Sequence, residues 1–205
     1  MKSVPVTVGF KAHLGWLASV TLVSDRAEVV AVRQDRLDVF SDASRAVKEP
    51  YHVAAGWDGL TRVERPPDPA AVVARGREQQ VAITTQRFGE FRSELLTQGL
   101  RWKTVVMLTG RGRLEVGALP EAHTQVHVAE GEAVRDAVRA SAASLGLDCL
   151  DLDEKTAIAG AAARCGVSID QMIADLKAAR PAQARSWAKE QLTIAAAAWL
   201  ALQTG

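Results

Sequence analysis

VPVTVGFKAHLGWLASVTLV, residues 4–23, decides how this chain folds. Val4, Val6 and Val8 alternate with smaller or polar residues, the period-two pattern of a strand. LGWLASVTLV is almost continuously apolar, as a strand covered on both faces is. The short link HLG between them predicts a hairpin. After a second short link, SDRA, the stretch from Ala27 to Phe40 begins apolar and then alternates, with Leu37 and Val39 set against Arg36 and Asp38. The first 40 residues therefore predict three antiparallel strands in a meander.

Residues 41–68 break the pattern. They contain EPYHVAAGWDG and then RPPDP, and read as an irregular loop insertion, suited to a functional loop or a hinge. Asp68 before Pro69 is a helix start, the acid as N-cap and the proline at the first helical position. The predicted helix runs to about Gln98, with Val73, Val81, Thr84, Phe88, Phe91 and Leu95 on one stripe and Gly99 as its stop. Gly76 and Gly89 interrupt it, permitting either close packing or a kink. WKTVVMLTG, 102–110, predicts a buried strand, and the loop GRGRLEVGALPEAH follows. A helix is expected from about Gly131 to Leu145, then a short strand in LDCLDLD. Lys155 to Arg164, Ile169 to Ala178 and about Ala182 to Gln203 read as helices. Three leading strands followed by strands alternating with helices predict an α/β fold, a mixed sheet with helices on both faces. No repeat or low-complexity linker divides the sequence, so one domain over 1–205 is expected.

Several function classes are disfavoured. Lys plus Arg number 25 and Asp plus Glu 24, a net charge of +1, so no global field draws the chain to nucleic acid or an anionic membrane. Two cysteines, Cys149 and Cys165, make neither a disulfide framework nor zinc spacing, and fit a reducing compartment as small buried hydrophobes. MKSVPVTVGF lacks the apolar region of a signal peptide. LTIAAAAWLAL, 192–202, would span about 16 Å as a helix, roughly half a bilayer core, and is expected to be a buried helix. No membrane association and a cytoplasmic location are expected. No GxSxG elbow supports a serine triad.

The tail EKTAIAGAAARCGVSIDQMIADLKAARPAQARSWAKEQLTIAAAAWLAL resembles that of the bacterial Holliday-junction resolvases, and VGFKAHLGW is similar to that family's first strand and glycine turn. The resemblance implies a ribonuclease H-like fold over most of the chain, apart from 41–68, and raises the prospect of a dimer. It also implies a chemistry: two magnesium ions, about 4 Å apart, held by clustered carboxylates. The residues depart from that pattern. The first family aspartate falls at Lys11, and the family glutamate falls near Leu108 or Thr109. Only Glu190 matches the last carboxylate. One acid of three does not hold two ions, though a slip in register would bring in Asp25 or Asp42. The usual metal site thus reads as largely missing, and the sequence names no metal ligand or cofactor.

The remaining candidates gather at one expected sheet edge. Lys11 and His13 close the first strand, and Lys11 either binds an anion or pairs with Glu190. Tyr51 and His52 either wall a ligand site or satisfy backbone within the irregular segment. Arg111, in GRGR, offers a guanidinium fork to a phosphate. In HVAEGEAVR, 127–135, Glu130 and Glu132 read as first-turn acids that suit the helix dipole, with Arg135 pairing Glu132 three residues away. His127, placed just before that helix, and Glu130 are the acid/base candidates, Glu130 setting the imidazole tautomer. Three functions are consistent with these residues: an anion-binding protein with a Lys/His/Glu pocket, catalytic or not; a divergent nuclease, with nucleic acid not favoured; and a dimeric scaffold.

Overall fold

The computed structural model describes residues 3–25, 28–110, 119–120, 122–181 and 187–203. The three leading strands form as expected: β1 (Val4–His13), β2 (Trp16–Asp25) and β3 (Glu28–Asp38), each antiparallel to the next. β1 then pairs in parallel with β6 (Leu100–Thr109), which pairs in parallel with β7 (Asp148–Asp153). The sheet order is β3-β2-β1-β6-β7, with β1 at the centre. β1 is covered on both sides, which is why Thr7 is buried along with Val6, Val8 and Phe10.

One face of the sheet carries α3 (Pro69–Thr97) and α4 (His123–Ser144). Asp68 caps α3 by accepting from the Ala71 N–H at 2.9 Å, the start that the Asp-Pro step predicts. Phe10, Phe88, Phe91 and Trp102 interlock there, with ring centroids 5.0–5.8 Å apart. The other face carries α5 (Ala157–Cys165), α6 (Ile169–Ala178) and α7 (Lys189–Leu202). The alanines Ala195–Ala198 are fully buried, so α7 lies close on β1 and β2. No helix among the described residues is long and apolar enough to cross a membrane.

Several sequence expectations are corrected. Residues 41–68 are not irregular throughout: they hold α1 (Arg45–Lys48), α2 (Pro50–Ala55) and a small hairpin of β4 (Trp57–Asp58) and β5 (Thr61–Arg62). Four- and six-residue helices are too short to show a period. Gly76, on α3, lets this segment dock, since a Cβ there would lie 2.6 Å from the Ala46 carbonyl and from Pro50. α4, in turn, begins at His123, eight residues before the expected Gly131. The stripe Val126, Ala129 and Ala133, which packs against Tyr51 and Ala55, extends the helix through residues whose polarity reads as loop. Glu130 and Glu132 are consequently mid-helix residues, and the helix-dipole account of them fails. Cys165 is exposed at the end of α5 and Cys149 half-buried in β7, so Cys165 is no core residue.

Candidate functional site

β1 delivers Lys11 and His13 to the expected edge, since residues two apart on a strand share a face. The first turn of α7 brings Glu190, and the residue just past β7 brings Glu154. Lys11 Nζ lies 2.6 Å from Glu154 Oε1 and 3.8 Å from Glu190 Oε1. His13 Nε2 is 2.8 Å from the same Glu190 oxygen, and its ring stacks on Trp16 at 3.8 Å. The expected Lys11–Glu190 association is present, but the shorter contact is with Glu154. The sequence singles out Glu190 and not Glu154, although LDLDE sets three acids at the end of a strand.

A second cluster forms beside this edge. His123 and His127 lie one turn apart on α4, and His52 faces them from α2. Ring centroids are 4.4 Å apart for His123–His127, 4.7 Å for His52–His127 and 5.4 Å for His52–His123, with planes inclined by 64–82°. Their ligand nitrogens all lie within 4.8 Å of one another. His123 also meets Trp57, at 4.6 Å. Among these, His123 is not a candidate in the sequence. The four-residue spacing in HTQVH was the available signal, concealed by the late helix start.

Glu130 is buried behind the histidines. Its Oε1 accepts from the Tyr51 N–H at 2.8 Å and the His52 N–H at 2.9 Å, and lies 3.2 Å from His52 Nδ1. The N-cap of α2, Glu49, makes no side-chain cap bond, so Glu130 satisfies two first-turn donors from across the interface. Its imidazole partner is therefore His52, not the expected His127. Glu130 Oε2 is buried without a partner. Burial pushes the Glu130 carboxyl up to about 8, outweighing the two backbone hydrogen bonds that favour its charge. Burial also holds His52 below the usual imidazole range.

Ala12, His13, Leu14, His52, His127 and Glu130 line a pocket of about 140 Å³ at the end of β1. Four of the sequence-predicted residues thus share one cavity, and His13 links it to Lys11 through Glu190. Other candidates are engaged elsewhere. Arg135 binds Glu132 at 2.7 Å, as expected of helix architecture, and Arg139 joins Glu132, Asp136 and Asp151. Tyr51 is buried, its hydroxyl raised above the ordinary range chiefly by that burial. Arg111 lies outside the described residues.

No protein-family model matches the chain, and no curated protein matches it. Solved structures do. The Thermus thermophilus RuvC in complex with Holliday junction substrate aligns over 98% of this chain and 96% of its own, at 11% identity and a TM-score of 0.50. A second T. thermophilus RuvC structure aligns over 97% and 93%, at 8% identity and a TM-score of 0.48. The yeast mitochondrial Holliday junction resolvase Ydc2 aligns over 100% and 81%, at 11% identity and a TM-score of 0.46. The first likeness shows the fold, a ribonuclease H-like α/β architecture, as the resemblance in the tail implied.

Proposed function

We propose that this protein binds a small anionic ligand in the pocket at the end of β1, and does not hydrolyse nucleic acid through two magnesium ions. The observation that carries this is the Lys11 ammonium, 2.6 Å from Glu154 and 3.8 Å from Glu190. An internal cation already pairs with the two glutamates that reach this edge, and His13 engages the same Glu190 oxygen. Two divalent ions beside it would meet a like charge and compete for the same oxygens. The adjoining pocket supplies imidazole groups from His13, His52 and His127. A Glu130 carboxyl held neutral does not repel an anion near pH 7.

Two assays test this. Inorganic phosphate or acetate is expected to raise the Tm of the wild type, and His127→Ala with His13→Ala is expected to remove the gain. Incubation with Mg²⁺ or Mn²⁺ and four-way junction DNA is expected to leave the DNA intact. Cutting that Glu190→Gln abolishes would overturn the proposal.

A second reading rests on the fold, which is that of a protein described with a Holliday junction substrate. On that reading the chain binds branched nucleic acid without cutting it. Gel-shift titration of the same junction, with unbranched duplex as control, decides: preferential junction binding whose affinity falls with salt supports it.

A further inference from the structure

We propose that His52, His123 and His127 form a site for a zinc-class transition-metal ion, whose open fourth position faces the pocket. The metal site stands on its own geometry; the idea that its fourth position takes the anionic ligand rests on the reading above.

The helix sets two of the three ligands. His123 and His127 are four residues apart, so their rings leave α4 on one face. α2 is docked against α4 and supplies His52 from the facing side. The three rings meet at 64–82° and do not stack on one another. Among the described residues, neither the His123 nor the His127 ring has a hydrogen-bond partner that would occupy its nitrogens. The ligand atoms lie within 4.8 Å of one another. Around a tetrahedral ion with nitrogens at about 2.1 Å they would be roughly 3.4 Å apart. His123 is only half-buried and His127 exposed, so rotation of those side chains closes the difference without moving the backbone.

The surroundings of His52 point the same way. Its Nδ1 faces Glu130 Oε1, which already accepts two backbone N–H groups and therefore acts as an acceptor here too. His52 then donates from Nδ1 and keeps Nε2 bare. A carboxylate behind a ligating histidine fixes tautomer and ring orientation in this manner. Three imidazoles suit zinc and its neighbours; magnesium prefers an oxygen shell. Three protein ligands beside a pocket of about 140 Å³ describe an open site, not a closed structural one.

The test uses the full chain, stripped with chelator and dialysed. Calorimetry is expected to give one zinc per chain, and cobalt substitution a visible spectrum of four-coordinate type. His123→Ala and His127→Ala are each expected to weaken zinc by tenfold or more while circular dichroism stays unchanged. No zinc uptake, or uptake indifferent to both histidine variants, overturns the site. Inorganic phosphate added to stripped and zinc-loaded protein separates the two proposals. A Tm gain that persists in stripped protein lacking zinc affinity overturns the metal site alone; zinc binding with no phosphate gain in either form overturns the ligand reading alone.

Discussion

Urea denaturation of chelator-treated protein is expected to show the unfolding free energy falling by roughly 1.5 kcal/mol between pH 6.5 and 8, and Glu130→Gln is expected to abolish that fall. Glu130 has a carboxyl raised from 4.5 to about 8 by burial. Between those values the folded chain holds a proton that the unfolded chain has released. Stability from this group is fully present below about 4.5 and is lost as pH rises through about 8, at up to about 1.4 kcal/mol per pH unit. His52 works in the opposite direction and lower down. Its depressed pKa makes the folded state lose stability as pH falls below the ordinary imidazole value of 6.5, so the window above 6.5 isolates Glu130. The charged groups bearing on Glu130 are Glu49, Arg45 and the facing histidines, all of which the Gln variant retains. Gln keeps an acceptor for the Tyr51 and His52 donors, so its own offset is the same at every pH. An unchanged slope in Glu130→Gln would show that the carboxyl titrates normally and that the cluster is wet. Glu130→Ala is a harsher change: it strands two backbone donors, each costing about 1–3 kcal/mol if left unsatisfied.

The same residue marks the boundary of what the sequence makes legible. The leading meander, α3 and its Asp68 cap, and the buried alanine helix are all readable, because each rests on a local signal long enough to repeat. Lys11 and Glu190 are placed correctly at one edge because the resemblance in the tail supplies the topology. Glu154 is not, since nothing local distinguishes it from the acids beside it in LDLDE. The histidine cluster fails for a different reason. A helix read as starting at Gly131 puts His123 and His127 in a loop, where four-residue spacing means nothing. Moving the start to His123 aligns both rings on one face, and Tyr51 and Ala55 on α2 then meet Val126, Ala129 and Ala133. That docking is non-local, and α2 is six residues long, so neither its existence nor its partner is written in any periodicity.

Gly9 carries the other large expectation. In the sequence it is one small residue in an alternating strand; in the fold it is where α7 touches β1. A Cβ at Gly9 would sit 2.7 Å from the Ile194 carbonyl oxygen and 2.9 Å from Ile194 Cγ2. The nearest neighbour is helix backbone, which cannot rotate away as a side chain does. Gly9→Ala gains about 0.5–1 kcal/mol from lower backbone entropy in the unfolded chain. Overpacking of a filled core costs about 1–3 kcal/mol, so the clash wins and the variant is less stable by about 1–2 kcal/mol. Gly9→Val places two branches against the same helix, and a loss of about 3 kcal/mol or more is expected. For a chain of this length that lowers Tm by roughly 6–12 °C. The effect reaches the site, because α7 is the element that sets Glu190 beside Lys11 and His13. Lifting α7 loosens that edge while leaving His52, His123 and His127 on α2 and α4 undisturbed. Gly9→Val should therefore keep its zinc affinity wherever it remains folded, as chemical denaturation and calorimetry on one preparation would show. A Gly9→Val chain as stable as the wild type would mean that α7 does not rest on β1 at this point.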